Sequence, residues 1–382
     1  MARKPSDKPR TKKVSKAVES IVTALRFVEP ASKDIGTINQ THCMISGGWV
    51  AAFDGLLMMA AKIDTDITAY PNTKRLLATL SRCDEAVQIT QLDNNRLGVK
   101  SGKFSATIPC LEPGLLTFTP PDPTQGAFNE AVVAALKTVG MIAKENAPRM
   151  VQASVMLRAN SAVATDGVTA FEAWHGLPMP TVVLPKVFIT ELLKITKKPV
   201  SAGASPNTFT VYFDDESFIR TQLYVEPYPD VDKVLNVNAS PYPIPAELWP
   251  ALAKLDAMKG DAHNVYFKAT KLQTDNDETV GASYEFNDEA WDVENVCFNI
   301  DFLRRFETLA QTVDWDVDER PGMAAFYGPN FRGVLMQKGT TKPAPITPEA
   351  IEHAVAQLPG AMPAPGSMVD DAHYGDDDEI PF

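Results

Sequence analysis

The sequence predicts an α+β fold in which one unit occurs three times, each copy setting two helices against antiparallel strands. Three observations carry this. Short apolar runs alternate at period two and close in turn residues, other stretches repeat at helical spacing, and the order of the two recurs at intervals of about 110 residues. The most complete copy spans residues 155–195. Residues 155–158 read as a strand, a second strand ends in Ala162-Val-Ala-Thr-Asp-Gly167, residues 169–173 form a third, and a helix covers 186–195. Asp166-Gly167 between two apolar alternations marks a hairpin, because glycine adopts positive φ without penalty. Pro185 suits a helix start, where its missing N–H would have no partner.

Taken in order, residues 1–15 are a basic arm carrying Arg3, Lys4, Lys8, Arg10, Lys12 and Lys13 against Asp7, either a solvated disordered segment or a transient contact for nucleic acid. The first helix follows, with Val14, Val18, Ile21, Leu25 and Val28 on one stripe. Strands at 43–46, 49–53 and 57–63 lead to a helix over 73–82 capped by Asn72, then to strands at 86–90, 96–100 and 104–108. Pro120, Pro121 and Pro123 mark a linker, and a helix over 128–146, stopped by Pro148, opens the second copy. The copy of 155–195 then closes with a strand at 208–213, and Pro227, Pro229, Pro241 and Pro243 mark a second linker. In the third copy a helix over 244–254 should be kinked or shortened by Pro250. Strands at 265–270 and 279–286, a helix over 300–309 preceded by Asn299, and strands at 323–326 and 331–336 complete it. The domains are therefore 16–115, 124–222 and 243–339, followed by a Pro-rich linker and acidic tail over 340–382.

A chain of 382 residues, 45% apolar and 22% charged, has an ordinary globular balance. No apolar run reaches the length of a membrane span and the N-terminus carries no apolar core, so the expected location is the cytoplasm. Cys43, Cys83, Cys110 and Cys297 lie far apart, as buried free thiols do. Enzyme chemistry finds no support, and no metal or cofactor is expected: the five histidines lack ligand spacing, there is no G-x-S-x-G, and Gly47-Gly48 sits in a hairpin. Asp316 and Asp318 alternate with Trp315 and Val317, as on the wet face of a strand.

The net charge of −12 argues against a polyanion partner for the molecule taken whole. The helices differ from that average. Lys74, Arg75, Lys137, Lys144, Lys194, Lys197, Lys254, Arg304 and Arg305 fall on or beside them, offset by Glu19, Glu130, Glu191, Asp256 and Glu307. Helices lining one surface would give the cationic face that grips phosphates without reading bases.

These features together resemble the bacterial DNA polymerase III β sliding clamps, in which three similar domains place helices inside a ring around duplex DNA. The resemblance covers about residues 16–338. Ala162-Val-Ala-Thr-Asp-Gly167 resembles the second-domain signature, Leu184-Pro-Lys186 with Leu192-Leu193 its following helix, and Arg96-Leu-Gly-Val-Lys-Ser-Gly102 with Phe104 the last hairpin of domain one. Glu226-Pro-Tyr-Pro-Asp230 with Val234-Leu235 resembles the family's GRFPDY…VLP linker, and Phe331-Arg-Gly-Val-Leu-Met336 its closing strand. The resemblance implies a partner cleft at Thr165, Val168, Ala170, Val334 and Met336. In the family the Thr-Asp-Gly turn continues His-Arg-Leu; here Val168, Thr169 and Ala170 stand instead, which puts the usual partner peptide in question.

The chain also runs on past the family's final strand. Its end, Asp376, Asp377, Asp378, Glu379, Ile380, Pro381 and Phe382, resembles the acidic tip of bacterial single-stranded-DNA-binding proteins, which recruits replication and repair enzymes. Phe382 can fill an apolar pocket while the acids steer toward a basic rim, and a purely solubilising tail has no use for Ile-Pro-Phe. The expected function is a clamp-like replication accessory protein of a bacteriophage. It would grip DNA, duplex before single strand, and recruit host proteins that bind such tips, with a polymerase and a ring-forming second copy as further partners. The alternatives are a single-stranded-DNA-binding protein on the same scaffold, with Trp174, Tyr212 or Trp291 as stacking platforms, and an inhibitor that uses the tail to occupy host proteins.

Overall fold

The first repeat sets helix α1 (Lys16–Val28) and the single turn α2 (Ile38–Thr41) before strands β1 (Cys43–Ser46), β2 (Trp49–Phe53) and β3 (Leu57–Lys62). Helix α3 (Thr73–Leu80) and strands β4 (Val87–Leu92), β5 (Arg96–Ser101) and β6 (Phe104–Pro109) follow. The second runs β7 (Gly126–Ala127), α4 (Glu130–Gly140), β8 (Ser154–Leu157), β9 (Ser161–Thr165), β10 (Thr169–Trp174), β11 (Val182–Pro185), α5 (Lys186–Lys194), β12 (Pro199–Ala204), β13 (Thr208–Phe213) and β14 (Phe218–Gln222). After the turn α6 (Asp232–Leu235), the third runs β15 (Tyr242–Pro243), α7 (Leu248–Asp256), β16 (Asn264–Lys268), β17 (Lys271–Gln273), β18 (Ser283–Glu285) and β19 (Cys297–Asn299). It closes with α8 (Ile300–Leu303), β20 (Thr312–Asp314), β21 (Met323–Gly328) and β22 (Phe331–Met336). This computed structural model describes residues 16–339 except 34, 35, 66, 84, 85, 117, 278, 287–292 and 295. The basic arm, Trp291 and the docking tail therefore lie outside the described residues. The described residues up to Lys338 belong to one compact unit.

Strand pairing turns the repeat into two joints. In one seven-stranded sheet β1-β2-β3 continues into β14-β13-β12-β7, and in one eight-stranded sheet β11-β8-β9-β10 continues into β22-β21-β20-β15. Each joint is antiparallel and sets a strand that opens on phenylalanine beside the third strand of the preceding repeat: Phe218 faces Ala60 and Phe331 faces Ala173. By the same rule β6 and β18 are the corresponding partners. They instead end separate sheets, β4-β5-β6 and β18-β17-β16-β19. The difference shows in burial: Phe218 and Phe331 are each 4% exposed, whereas Phe104, which opens β6, is 39% exposed.

The helices cover one face of these sheets. The stripe Val18, Ile21, Leu25 and Val28 is buried as expected, and joins Leu76, Leu136, Phe188, Leu252 and Ile300 from the other helices in one apolar core. Strand alternation sends Ala164, Phe171, Ala173 and Leu335 into that core, while Val163, Ala170 and Val334 point to the opposite face with Val231 and Leu235 of the second linker.

Several helices are shorter than expected, for local reasons. The helix expected over 128–146 spans Glu130–Gly140, because the Asn129 side chain accepts the Ala131 and Val132 N–H groups and fixes the start there. Asn72 and Asn299 cap α3 and α8 in the same way. The stretch expected over 300–309 is one α-turn running into the 3-10 turn Arg304–Phe306. The stretch expected over 244–254 becomes Leu248–Asp256, with Pro250 in its first turn, where a missing N–H loses no helical bond; the proline sets the start. Pro185 ends β11 and stands at the N-cap position of α5, just before its first helical residue and without a side-chain capping bond.

Candidate functional site

The five residues of the expected cleft, Thr165, Val168, Ala170, Val334 and Met336, all line one cleft of about 410 Å³ on the face away from the helices. The β9–β10 hairpin makes its floor. Gly167 turns the chain at φ +91, and Asp166 Oδ1 accepts the N–H groups of Val168 (3.1 Å) and Thr169 (2.8 Å). Thr165 Oγ1 donates to the Thr169 carbonyl and accepts the Gly167 N–H, so the turn is held from both sides. Pairing Ala170 with Val334 and donating the Met336 N–H to the Val168 carbonyl at 3.0 Å brings in the wall from the third repeat. Val168 and Met336 consequently stand side by side, 40% and 42% exposed. The other wall is the second linker, through Pro227, Pro229, Val231 and Val234. That run reads from sequence as a connection only, since nothing in a Pro-rich stretch says which face of a sheet it will lie on. Arg149 and Asp230 supply the cleft's charges.

Two polar ties hold the joint beneath the cleft. Asp166 Oδ2 bonds Arg305 of the third repeat at 2.8 Å, with both side chains largely buried. Glu172, 4% exposed, accepts Arg158 (2.9 Å) and the Ser161 hydroxyl (2.6 Å) on one oxygen and Arg332 (2.8 and 2.6 Å) on the other. Arg158 reaches on to both oxygens of Asp232 in the linker at 2.8 Å. Neither tie is legible in sequence, because the partners lie 139 and 160 positions apart.

The structure sorts the expected DNA-contacting cations into three groups. Arg75, Lys137, Lys144, Lys194 and Lys254 are exposed and Lys74 half-buried, with Lys194 paired to Glu191 at 2.7 Å and Lys254 over the Tyr284 ring. Lys144 lies in the loop beyond α4, not on a helix. Lys137 and Lys197 meet Lys198 along one groove between α4 and the end of α5. Lys197 also sits 3.9 Å over the Phe27 ring and bonds Asp215 at 2.6 Å. Burial opposes ionisation of Asp215, but hydrogen bonds from Lys197 and Ser217 outweigh it and lower its pKa. Arg304 and Arg305 are engaged within the protein: Arg304 bonds Asp256 at 2.6 Å and lies 3.7 Å from Glu307, and Arg305 serves the tie to Asp166. Lys186 donates to the Gly140 carbonyl at 2.7 Å, and its desolvation lowers its pKa. Trp174 is 38% exposed, with the Arg332 guanidinium 5.3 Å from its ring, and Tyr212 is half-buried. No group of metal-ligating side chains forms among the described residues.

No protein-family model matches the sequence, and no curated protein is similar to it. Solved structures are. The DNA polymerase III subunit beta from Pseudomonas aeruginosa is 14% identical with a TM-score of 0.69, over 84% of this chain and 98% of that one. The Caulobacter crescentus pol III beta is 16% identical with a TM-score of 0.71, over 85% and 98%. The Helicobacter pylori beta clamp, solved bound to a DNA ligase peptide, is 17% identical with a TM-score of 0.69, over 84% and 97%. The α+β fold expected from sequence, with its antiparallel sheets, is therefore the fold of the bacterial β sliding clamps.

Proposed function

We propose that this protein is a sliding-clamp-like accessory factor of DNA replication, closing as a two-copy ring around duplex DNA. The observation that carries this is the repeat with its two made joints and one missing one. β14 on β3 and β22 on β10 leave β6 and β18 as the remaining pair, and a head-to-tail second copy would complete both contacts at once. The helix layer, with Arg75, Lys137, Lys194 and Lys254 exposed, would face the duplex, and the cleft on the opposite face would take a peptide from a polymerase or another replication protein. The role is architectural: gripping a polyanion and presenting a cleft need no reacting group. No helix of the described residues is long and apolar enough to cross a membrane, consistent with work on DNA in the cytoplasm of a cell, here a phage-infected one.

The test compares retention on closed circular duplex, linear duplex and a single-stranded oligonucleotide of equal length. Retention on circles with release from linear ends is expected. Reversing Arg75, Lys137 and Lys194 to glutamate should weaken association and flatten its salt dependence by about three charges; an unchanged salt titration would remove the cationic face from the account. Tight monomeric binding to the single strand would favour the strand-protecting alternative, for which the exposed Trp174 indole is the supporting feature.

The tail gives an independent expectation. Asp376–Glu379 followed by Ile380, Pro381 and Phe382 has the chemistry of a docking peptide for host proteins that bind acidic single-stranded-DNA-binding-protein tips. Deleting Phe382 should abolish their capture in a pull-down while leaving DNA retention intact. Equal capture by the shortened chain refutes the recruiting role, and intact capture accompanied by lost host activity would identify an inhibitor.

A further inference from the structure

We infer that the joint between the first and second repeats carries a second peptide groove, the repeat-related copy of the cleft at the other joint, and that it accepts an extended partner segment combining apolar side chains with a carboxylate. The inference rests on reading the first cleft as a peptide site.

The correspondence is residue by residue. Where Thr165, Val168 and Ala170 form the floor of the cleft, Phe53, Leu56 and Met58 occupy the same places one repeat earlier; where Val334 pairs with Ala170 and Met336 donates to the Val168 carbonyl, Arg220 pairs with Met58 and Gln222 donates to the Leu56 carbonyl. All five line one groove of about 370 Å³, against about 410 Å³ for the cleft. Even the remaining wall is equivalent, since Phe118 and Thr119 belong to the first interdomain linker as Pro229 and Val231 belong to the second. A fold that joins its repeats twice by the same rule makes the same hollow twice.

The two hollows differ in chemistry. Larger side chains raise the floor of the first-joint groove, and Asn207, Thr208, Arg220 and Gln222 make one side polar. Among the described residues Arg220 is its only charged lining residue, whereas the cleft has Arg149 and Asp230. Arg220 Nη1 donates to the Thr119 carbonyl at 3.2 Å and Nη2 to Thr208 Oγ1 at 3.1 Å. Its buried Nε is ion-paired with Asp122 Oδ2 at 3.6 Å, beyond hydrogen-bond reach, and that carboxylate also accepts the hydroxyls of Thr208 and Thr210 at 2.7 Å each. Each Nη has a second N–H beyond these bonds, and no acid is among the described residues that line the hollow, so the groove side of this guanidinium is complementary to an anionic group.

Shape favours an extended segment over a compact ligand. Beyond Phe118 and Thr119 the hollow continues into a second one of about 560 Å³, lined by Trp49, Ala60, Pro120, Tyr212 and Phe218. Trp49, Phe118, Tyr212 and Phe218 form a partly uncovered apolar cluster there, separate from the main core. Such an aromatic floor suits the side chains of a peptide lying across it.

The test titrates the full-length chain with a fluorescein-labelled peptide, Glu-Asp-Leu-Pro-Leu-Phe, and follows anisotropy and stoichiometry. Two sites per chain are expected. Leu56→Glu, at a half-buried turn position, should remove one, Val168→Glu the other, and the double variant both, with melting curves checking that each variant folds. Leu223→Glu on the opposite wall should repeat the Leu56→Glu result, and an amide version of the peptide (Gln-Asn for Glu-Asp) should bind the first-joint groove about tenfold more weakly. A single wild-type site, lost in Val168→Glu and untouched by Leu56→Glu and Leu223→Glu, overturns this inference and leaves the cleft reading standing. Two sites that both survive Leu56→Glu and Leu223→Glu overturn the location, and no binding at all overturns both readings.

Discussion

A chain carrying Phe104→Asp should run as a monomer and lose its grip on closed circular DNA. Phe104 opens β6 and is 39% exposed, while its repeat counterparts Phe218 and Phe331, in joints already made, are each 4% exposed. Completing the third joint would bury the Phe104 ring as it does the others, a gain of about 2 kcal/mol. A ring of two copies contains this joint twice, so the loss amounts to about 4 kcal/mol, or roughly a thousandfold in the dissociation constant. The buried carboxylate would add further cost unless a cation met it. Phe104 makes no contribution to either completed joint, so the fold of each protomer should survive, which the melting curve checks. Light scattering on the eluting protein reads the mass, and retention on circles against linear DNA reads the function. An unchanged mass would mean that β6 is not the contact. A monomer that still remained on circles would separate DNA binding from ring closure.

How much of this was legible in the sequence varied with the range of the interaction involved. Local chemistry was: Asp166-Gly167 is the turn it reads as, Asn72 caps α3, and the stripe from Val18 to Val28 is buried. The α+β class and the order of strands and helices follow from periodicity, which the chain writes one turn at a time. Helix ends were less legible, because capping by Asn129 and the change to a 3-10 turn at Arg304 each depend on one or two bonds. The cleft residues came from family resemblance, and the structure brings all five to one hollow. What the sequence hid is how cations are divided. Arg304 and Arg305 read like Arg75, as positive charge on a helix, yet they face Asp256 of their own repeat and Asp166 across the joint, partners that only the folded chain supplies. The same limit hid Arg158, Glu172 and Arg332, which no spacing rule connects.

That hidden cluster carries the largest expected loss of stability. Replacing Glu172 with alanine should destabilise the protein by about 3–5 kcal/mol, the usual consequence of removing one partner from a buried ion pair. Among the described residues Glu172 is the only carboxylate held by both guanidiniums, through Arg158 at 2.9 Å and Arg332 at 2.6 Å, and it also accepts the Ser161 hydroxyl. Without it, Arg158 retains Asp232 and Arg332 retains the Leu235 carbonyl, but two cations approach each other in a site with little water to screen them. Glu172→Gln keeps the shape and one acceptor oxygen, so it should cost less than alanine. Adding Arg332→Met to Glu172→Ala should recover part of the loss, because it removes a cation left unpaired. Denaturant and thermal melts of the four chains measure the ranking, and a Glu172→Ala chain as stable as wild type would refute the assignment of the joint's polar tie to this carboxylate. The consequence reaches the cleft, since Glu172 faces Arg332 across the β10–β22 ladder that also pairs Ala170 with Val334. A peptide that binds this cleft needs the two strands in register, so Glu172→Ala should weaken peptide binding there while leaving the groove of the first joint, built on β3 and β14, unaffected.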